Sequence, residues 1–185
     1  MISAIVPKSG FGDSVFLLMP ESGLTASDAS LAVANLNSFS FDFVARQKMH
    51  GINLSWYLLE QFPVIAPANY DRQCGNSTLR DLVRDHVLRL TYTAHDMAPF
   101  ARDLGYRGSP FAWNQEERCH LRARLDALYF HLYGLSRQDA SYVLNTFPII
   151  RGEDEATFGR YRTRDLILAY MNALAAGDTE TVVAV

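Results

Sequence analysis

The sequence predicts an α+β fold that is predominantly α-helical, with a small N-terminal antiparallel sheet and a long helix followed by a C-terminal helical bundle. Three observations predict it. Residues 2–6 (ISAIV) and 15–19 (VFLLM) are short β-prone runs joined by the turn-rich segment PKSGFGDS. Residues 29–49 carry helical periodicity with no proline or glycine to interrupt it. Beyond Thr78 apolar residues recur at helical spacing, most regularly Leu121, Leu125, Leu128, Leu132 and Leu135 at steps of 4, 3, 4 and 3.

In chain order, the two β-prone runs form paired strands. Gly10 and Gly12 belong to their turn, because a dinucleotide loop needs a third glycine, a helix straight after it and a βαβ setting. Ser27 or Asp28 is the expected N-cap of a helix running from Ala29 to about Met49, with Leu36, Phe39, Phe43 and Val44 on its apolar side. Gly51 ends it, and Arg46, Lys48 and His50 occupy the final turns. Residues 54–66 are apolar and interrupted by Pro63; Pro67 and the polar run NYDRQCGNS then mark a linker. The chain divides into an α/β region over 1–70, a linker over 71–77, a helical region over 78–176 and a tail over 177–185.

Thr78 caps a helix whose apolar side carries Leu79, Leu82, Val83, Val87 and Leu90, where His86 lies as a packed or rim histidine. A shorter helix with Met97, Phe100, Ala101 and Leu104 stops at Gly105, and the leucine-rich helix spans about 115–133. Gly134 stops that helix, Ser136 starts another with Asp139 in its first turn, and Pro148 closes it. The segment RGEDEATFGRYRTR reads as a charged, mobile loop. A last helix uses Leu166, Ile167, Tyr170, Met171 and Leu174, and the tail after Gly177 is expected to fray.

No run of about 18 uncharged apolar residues is present, which excludes a membrane-spanning helix, and the start of the chain lacks the pattern of a signal peptide. The expectation is a soluble, cytoplasmic protein with no membrane partner. Lys+Arg number 17 against 20 Asp+Glu, a net charge of -3. Cut after Cys74, the chain has 4 basic and 6 acidic residues, then 13 and 14, so neither part is a basic nucleic-acid module by bulk charge. Contact with DNA therefore needs a local patch or a partner. Cys74 and Cys119, without a CxxC pair, support neither a disulfide framework nor a structural metal.

Motifs of catalysis are missing. There is no GxSxG elbow, no GxxxxGK[ST] phosphate loop, no HExxH and no EF-hand loop. Glu153, Asp154 and Glu155 fall in the charged segment, where like charges stay hydrated. Asp126 flanks the leucine stripe among Arg122, Arg124 and Tyr129, which suits a structural ion pair or hydrogen bond. The cations Arg46, Lys48 and His50 have two uses open to them. They complement the negative end of their helix, or they meet phosphates while Asn53 reaches a base edge.

The run LAVANLNSFSFDFVARQKMHGINLSWYLLEQFPVIAP resembles a segment of restriction-modification DNA methyltransferases in which a helix bearing LNS and RQK precedes a glycine, a polar loop and a QFPV-like strand. The run ERCHLRARLDALYFHLYGLSRQDASYVLNTFPIIRGEDEATFGRYRTRDLILAY is similar to the C-terminal LDAL, LYGL and DTFP-type helical end of type IIG-like enzymes and related phage-defence methylases, with Asn145 where Asp is usual. MISAIVPKSGFGDSVFLLMP is similar to the strand pair that precedes the helix in the same proteins. The family's Asn-Pro-Pro-aromatic motif and its S-adenosylmethionine strand are absent from this sequence.

The resemblance implies a non-catalytic DNA target-recognition or positioning fragment whose parent methylates adenine and in some members also cleaves DNA. It implies double-stranded DNA and the parent's methyltransferase domain as partners, no cofactor in this fragment, and S-adenosylmethionine in the parent. It implies DNA contact at Arg46, Gln47, Lys48, His50 and Asn53, with Lys8 in the hairpin loop a further candidate. Arg118, Arg122, Arg124, Arg160, Arg162 and Arg164 would clamp the DNA backbone or dock on the methyltransferase domain. The alternative is a helical interaction module that docks on other domains or subunits of a defence complex without touching bases. A small enzyme with an unrecognised site is the third reading.

Overall fold

The computed structural model describes residues 2–7, 9–10, 12, 15, 17–19, 23–49 and 55–184. It is mostly helical with one two-stranded antiparallel sheet, as the sequence predicts, but the sheet and several helix ends lie elsewhere.

Helix α1 (Ala26–Leu36) begins at Thr25, not at Ser27 or Asp28. Thr25 accepts from the Asp28 N–H and the Asp28 carboxylate accepts from the Thr25 N–H, a capping box that puts Asp28 inside the first turn. The single helix expected over 29–49 is two. Ser38 caps α2 (Phe39–Lys48) by accepting from the Phe41 N–H, and Asn37 closes α1 before it. Asp126 decides the break from a distance, because its Oδ1 accepts the Phe39 N–H at 2.8 Å, a donor that a continuous helix would have committed internally. Of this stretch the described residues 55–66 contribute the short α3 (Trp56–Leu59), followed by a turn at Glu60 and Gln61.

The strand pair expected at 2–6 and 15–19 is not formed among the described residues of those runs. The Asn37 carboxamide instead takes the pairing position on Ser3, accepting from its N–H and donating to its carbonyl, both at 2.8 Å. The sheet is β1 (Gln73–Cys74) against β2 (Ser77–Thr78), inside the expected linker. Gly75 makes that tight turn possible: its φ of +59° suits the first of two turn residues and is unfavourable for a side chain.

Thr78 caps α4 (Leu79–Thr91), a short 3₁₀ turn leads to α5 (Ala98–Asp103), and Asn114 caps α6 (Gln115–Leu132). α7 (Arg137–Asn145) starts on a capping box between Ser136 and Asp139. Ser136→Ala should lower the unfolding free energy by about 1 kcal/mol, the usual value of such a cap, read as a shift in the urea midpoint at unchanged slope.

Pro148 opens a helix instead of closing one. The segment expected to be a mobile loop is α8 (Pro148–Phe158), ended by Gly159 at φ +71°. Proline at the first helical position, an Arg151–Glu155 ion pair of 2.7 Å one turn apart and a left-handed glycine stop are sufficient local causes. Asp154 accepts the Thr163 N–H at the start of α9 (Arg162–Ala175), so it is not merely a hydrated loop charge. The tail is anchored too: Arg124 donates to the carbonyls of Glu180 and Thr181, each at 3.0 Å, and Val183 rests on the core.

α6 is the central helix. One side packs on α7 and α9 through Ala127, Phe130, Leu144, Phe147 and Ile167. Its other side meets α1 and α4 through Leu128, Tyr129, Leu31, Ala34, Leu79 and Val83, a cluster shared across the 71–77 boundary. Within it the Tyr70 and Tyr129 hydroxyls lie 3.1 Å apart, and Tyr129 donates onward to the Leu31 carbonyl.

Candidate nucleic-acid interface

Arg46, Gln47 and Lys48 occupy the last turn of α2, the helix that Asp126 fixes at its other end. Arg46 pairs with Asp42 at 2.9 Å, and its guanidinium carbon sits 4.4 Å from the centre of the Phe147 ring. Phe147 in turn packs edge-on against Phe39 at 4.7 Å. Lys48 donates to the Gln61 carbonyl at 3.4 Å, which ties α2 to the turn after α3. Gln47 is exposed. Lys8, His50 and Asn53 lie outside the described residues. Arg46 and Lys48 both lie in the last turn of α2 and are exposed, and their bonds go to Asp42 and to the Gln61 carbonyl, not to the last carbonyls of the helix.

Exposed aromatic side chains stand on α3 and α7, the elements that meet α2 through Lys48 and Phe43. Trp56 and Tyr57 on α3 are 53% and 74% exposed. Tyr142 of α7 is 67% exposed and meets Phe43 of α2 edge-on at 6.2 Å.

Motif residues from the two halves of the sequence bind one another here. Asp126 of LDAL holds the Phe39 N–H that follows LNS, and Phe147 of NTFP lies against Arg46 of RQK. Tyr133 of LYGL donates to the Pro63 carbonyl of QFPV at 2.8 Å and accepts from Asn35 at 2.7 Å. Asn35 is buried and also accepts the Ile65 N–H. Burial raises the Tyr133 phenol above its ordinary value and pushes the Asp126 carboxyl up to about 7, while the Phe39 bond and the Arg122 charge pull Asp126 down.

Most of the C-terminal arginines are engaged within the chain. Arg118 donates to the Leu90 carbonyl at 2.9 Å beneath the Trp113 ring, and Arg122 donates to the Arg118 carbonyl. Arg162 pairs with Glu116 and Arg164 with Asp165. Arg160 is exposed. His86 is buried in the wall of a cavity of about 20 Å³ between α4, α6, α9 and the tail, room for one water. Burial pushes the Cys74 thiol up, away from the reactive thiolate. Among the described residues no group of three or more His, Cys, Asp or Glu side chains is arranged around a metal position, and no helix is long and apolar enough to cross a membrane. No protein-family model, no curated protein and no solved structure matches the chain.

Proposed function

We propose that this chain is a non-catalytic DNA target-recognition and positioning segment of a larger adenine-specific, S-adenosylmethionine-dependent DNA methyltransferase of the restriction-modification or phage-defence kind. The observation that carries the reading is the mutual engagement of the resembling motifs: LNS with LDAL, RQK with NTFP, and QFPV with LYGL. In this reading methyl transfer and cofactor binding belong to the parent's catalytic domain. The present chain supplies the end of α2 to DNA, with Arg46 and Lys48 at phosphates and Gln47 at a base edge. Trp56 and Tyr57, exposed on α3, add aromatic surface on the element that Lys48 ties to α2 through the Gln61 carbonyl.

Titrating the chain with duplex DNA at several salt concentrations tests this. Weak affinity is expected, falling with a log-log slope of roughly -0.9 for each phosphate neutralised. Replacing both Arg46 and Lys48 by Ala should reduce the slope by about 2 while leaving far-ultraviolet ellipticity unchanged. Saturable heat with S-adenosylmethionine would place the cofactor domain inside this chain and sink the reading. A salt-independent affinity would favour the second reading, a helical module docking on other parts of a defence complex. That reading draws on Tyr142 and Ile149, apolar side chains 67% and 75% exposed on α7 and α8.

A further inference from the structure

Beyond α9 the tail lies across residues of α4, α6 and α9 and over the turn between β1 and β2. Gly177 and Asp178 close α9 by donating their N–H groups to the Leu174 and Ala173 carbonyls, so that helix is finished before the tail begins. No backbone–backbone hydrogen bond ties residues 179–184 to the rest of the protein among the described residues. The Glu180 and Thr181 N–H groups instead donate back to Asp178 Oδ1, each at 3.0 Å, which folds the segment onto its own root. Its hold on the body of the protein comes from Arg124, which donates to the Glu180 and Thr181 carbonyls, and from Val183, which rests on the core. Thr179 lies over Gly75, where a Cβ would come within 3.1 Å of the threonine hydroxyl.

Beneath the segment is the small cavity whose wall holds His86 and Arg124 among leucines of α4, α6 and α9. His86 Nδ1 and Arg124 Nε are buried without hydrogen-bond partners among the described residues. Asp85 Oδ2 is 3.6 Å from that imidazole nitrogen, too far to bond it. Both nitrogens gain water when the segment lifts, which lowers the cost of opening. Arg124 stays behind on the core, its guanidinium carbon 5.0 Å from the centre of the Tyr170 ring.

We propose that residues 178–183 are a strap, pivoting at Gly177 and latched by Arg124, whose local opening uncovers His86 while the helices stay folded. Segments that open on their own are those with few buried contacts and few backbone bonds to the remainder, and this one has both properties. The latch is one charged donor shared by two carbonyls, so a single side chain sets the balance between closed and open. The strap is a gate over an imidazole that the closed protein hides from solvent.

Acylation of histidines by diethyl pyrocarbonate, at single-hit dose and fixed pH, reads the gate on the whole chain, with the exposed His95 and His131 as internal standards. In the wild type His86 should react more slowly than either standard. Its rate should stay level as urea is raised below the unfolding transition, because lifting the strap uncovers little surface. Arg124→Met removes both latch bonds and should raise the His86 rate at least about tenfold, the usual weight of one hydrogen bond from a charged donor. Asp178→Ala leaves Arg124 in place, frees the Glu180 and Thr181 N–H groups, and should give a smaller rise in the same direction. The two standards should keep their rates in both variants. A His86 rate that climbs with urea as steeply as global unfolding overturns the proposal, since His86 is then uncovered only when the helices unfold. A wild-type His86 as reactive as His95 overturns it too, and so does a rate that neither substitution raises.

Discussion

Asp126→Asn is expected to make the chain more stable than the wild type at pH 8 and equally stable at pH 4, with the two curves separating in between. The Asp126 carboxyl is buried and takes up its proton near 7 in the folded chain, against 3.8 for an ordinary aspartate. Between those values the folded state holds a proton that the unfolded state has released. The stabilisation is therefore complete below the unfolded value and is lost as pH rises through the folded one, at about 1.4 kcal/mol per pH unit and on the order of 4 kcal/mol in total. Asparagine resembles the protonated acid in shape and keeps an oxygen for the Phe39 N–H, so it does not titrate. Carboxylates such as Asp28, held below its ordinary value first by its bonds from Thr25, give the opposite slope, but they are common to both proteins and cancel in the difference. Urea unfolding at pH 4, 5, 6, 7 and 8 measures it. Parallel curves would mean that Asp126 is solvated in solution and that the α2 to α6 joint is looser than described.

Phe130→Ala should cost about 3 to 5 kcal/mol, the range for emptying a large aromatic site in a packed interior. Phe130 is fully buried among Ala127, Leu144, Ile167 and their neighbours, at the meeting of α6, α7 and α9. Single domains have about 5–15 kcal/mol to lose, so the variant should be largely unfolded near 50 °C. Phe158→Ala, at a site 48% exposed at the end of α8, provides the comparison and should stay within about 1 kcal/mol. Guanidinium unfolding of the two variants side by side checks it. A loss below about 1.5 kcal/mol at Phe130 would show that the helices around α6 are not jointly packed.

The features legible in the sequence were those decided over a few residues. Thr78 and Ser136 start α4 and α7, Gly105 and Gly134 sit at positive φ just past helix ends, and the leucine stripe marks α6 as the helix that others surround. Each follows from backbone groups finding partners within one turn. His86 was also placed correctly, as a packed histidine. What misled the reading at 151–164 was charge: Glu153, Asp154 and Glu155 suggested hydration, while the proline start, the Arg151 pair and the glycine stop together favour helix.

The candidate interface was only half legible. Arg46, Gln47 and Lys48 were visible as a cationic helix end, because composition and spacing show that directly. Their neighbours were not, since Phe147 and Tyr142 reach α2 from about a hundred residues further along the chain. The exposure of Trp56 and Tyr57 likewise depends on how little of the short α3 turn the rest of the protein covers.

By itself the sequence determined that this protein is mostly helical, that Thr78 and Ser136 start helices and Gly105 and Gly134 follow helix ends, and which stripe becomes the central interface. Only the tertiary structure decided that the first long helix breaks at Ser38, that Asn37 takes the pairing position on Ser3, that Asp126 is a buried acid, and that Arg124 holds the tail. The physical reason is range. Caps and helical bonds compete among groups a few residues apart, whereas a buried carboxyl, an amide or a guanidinium chooses its partner from whatever the packed helices bring near, and that choice follows the fold as a whole.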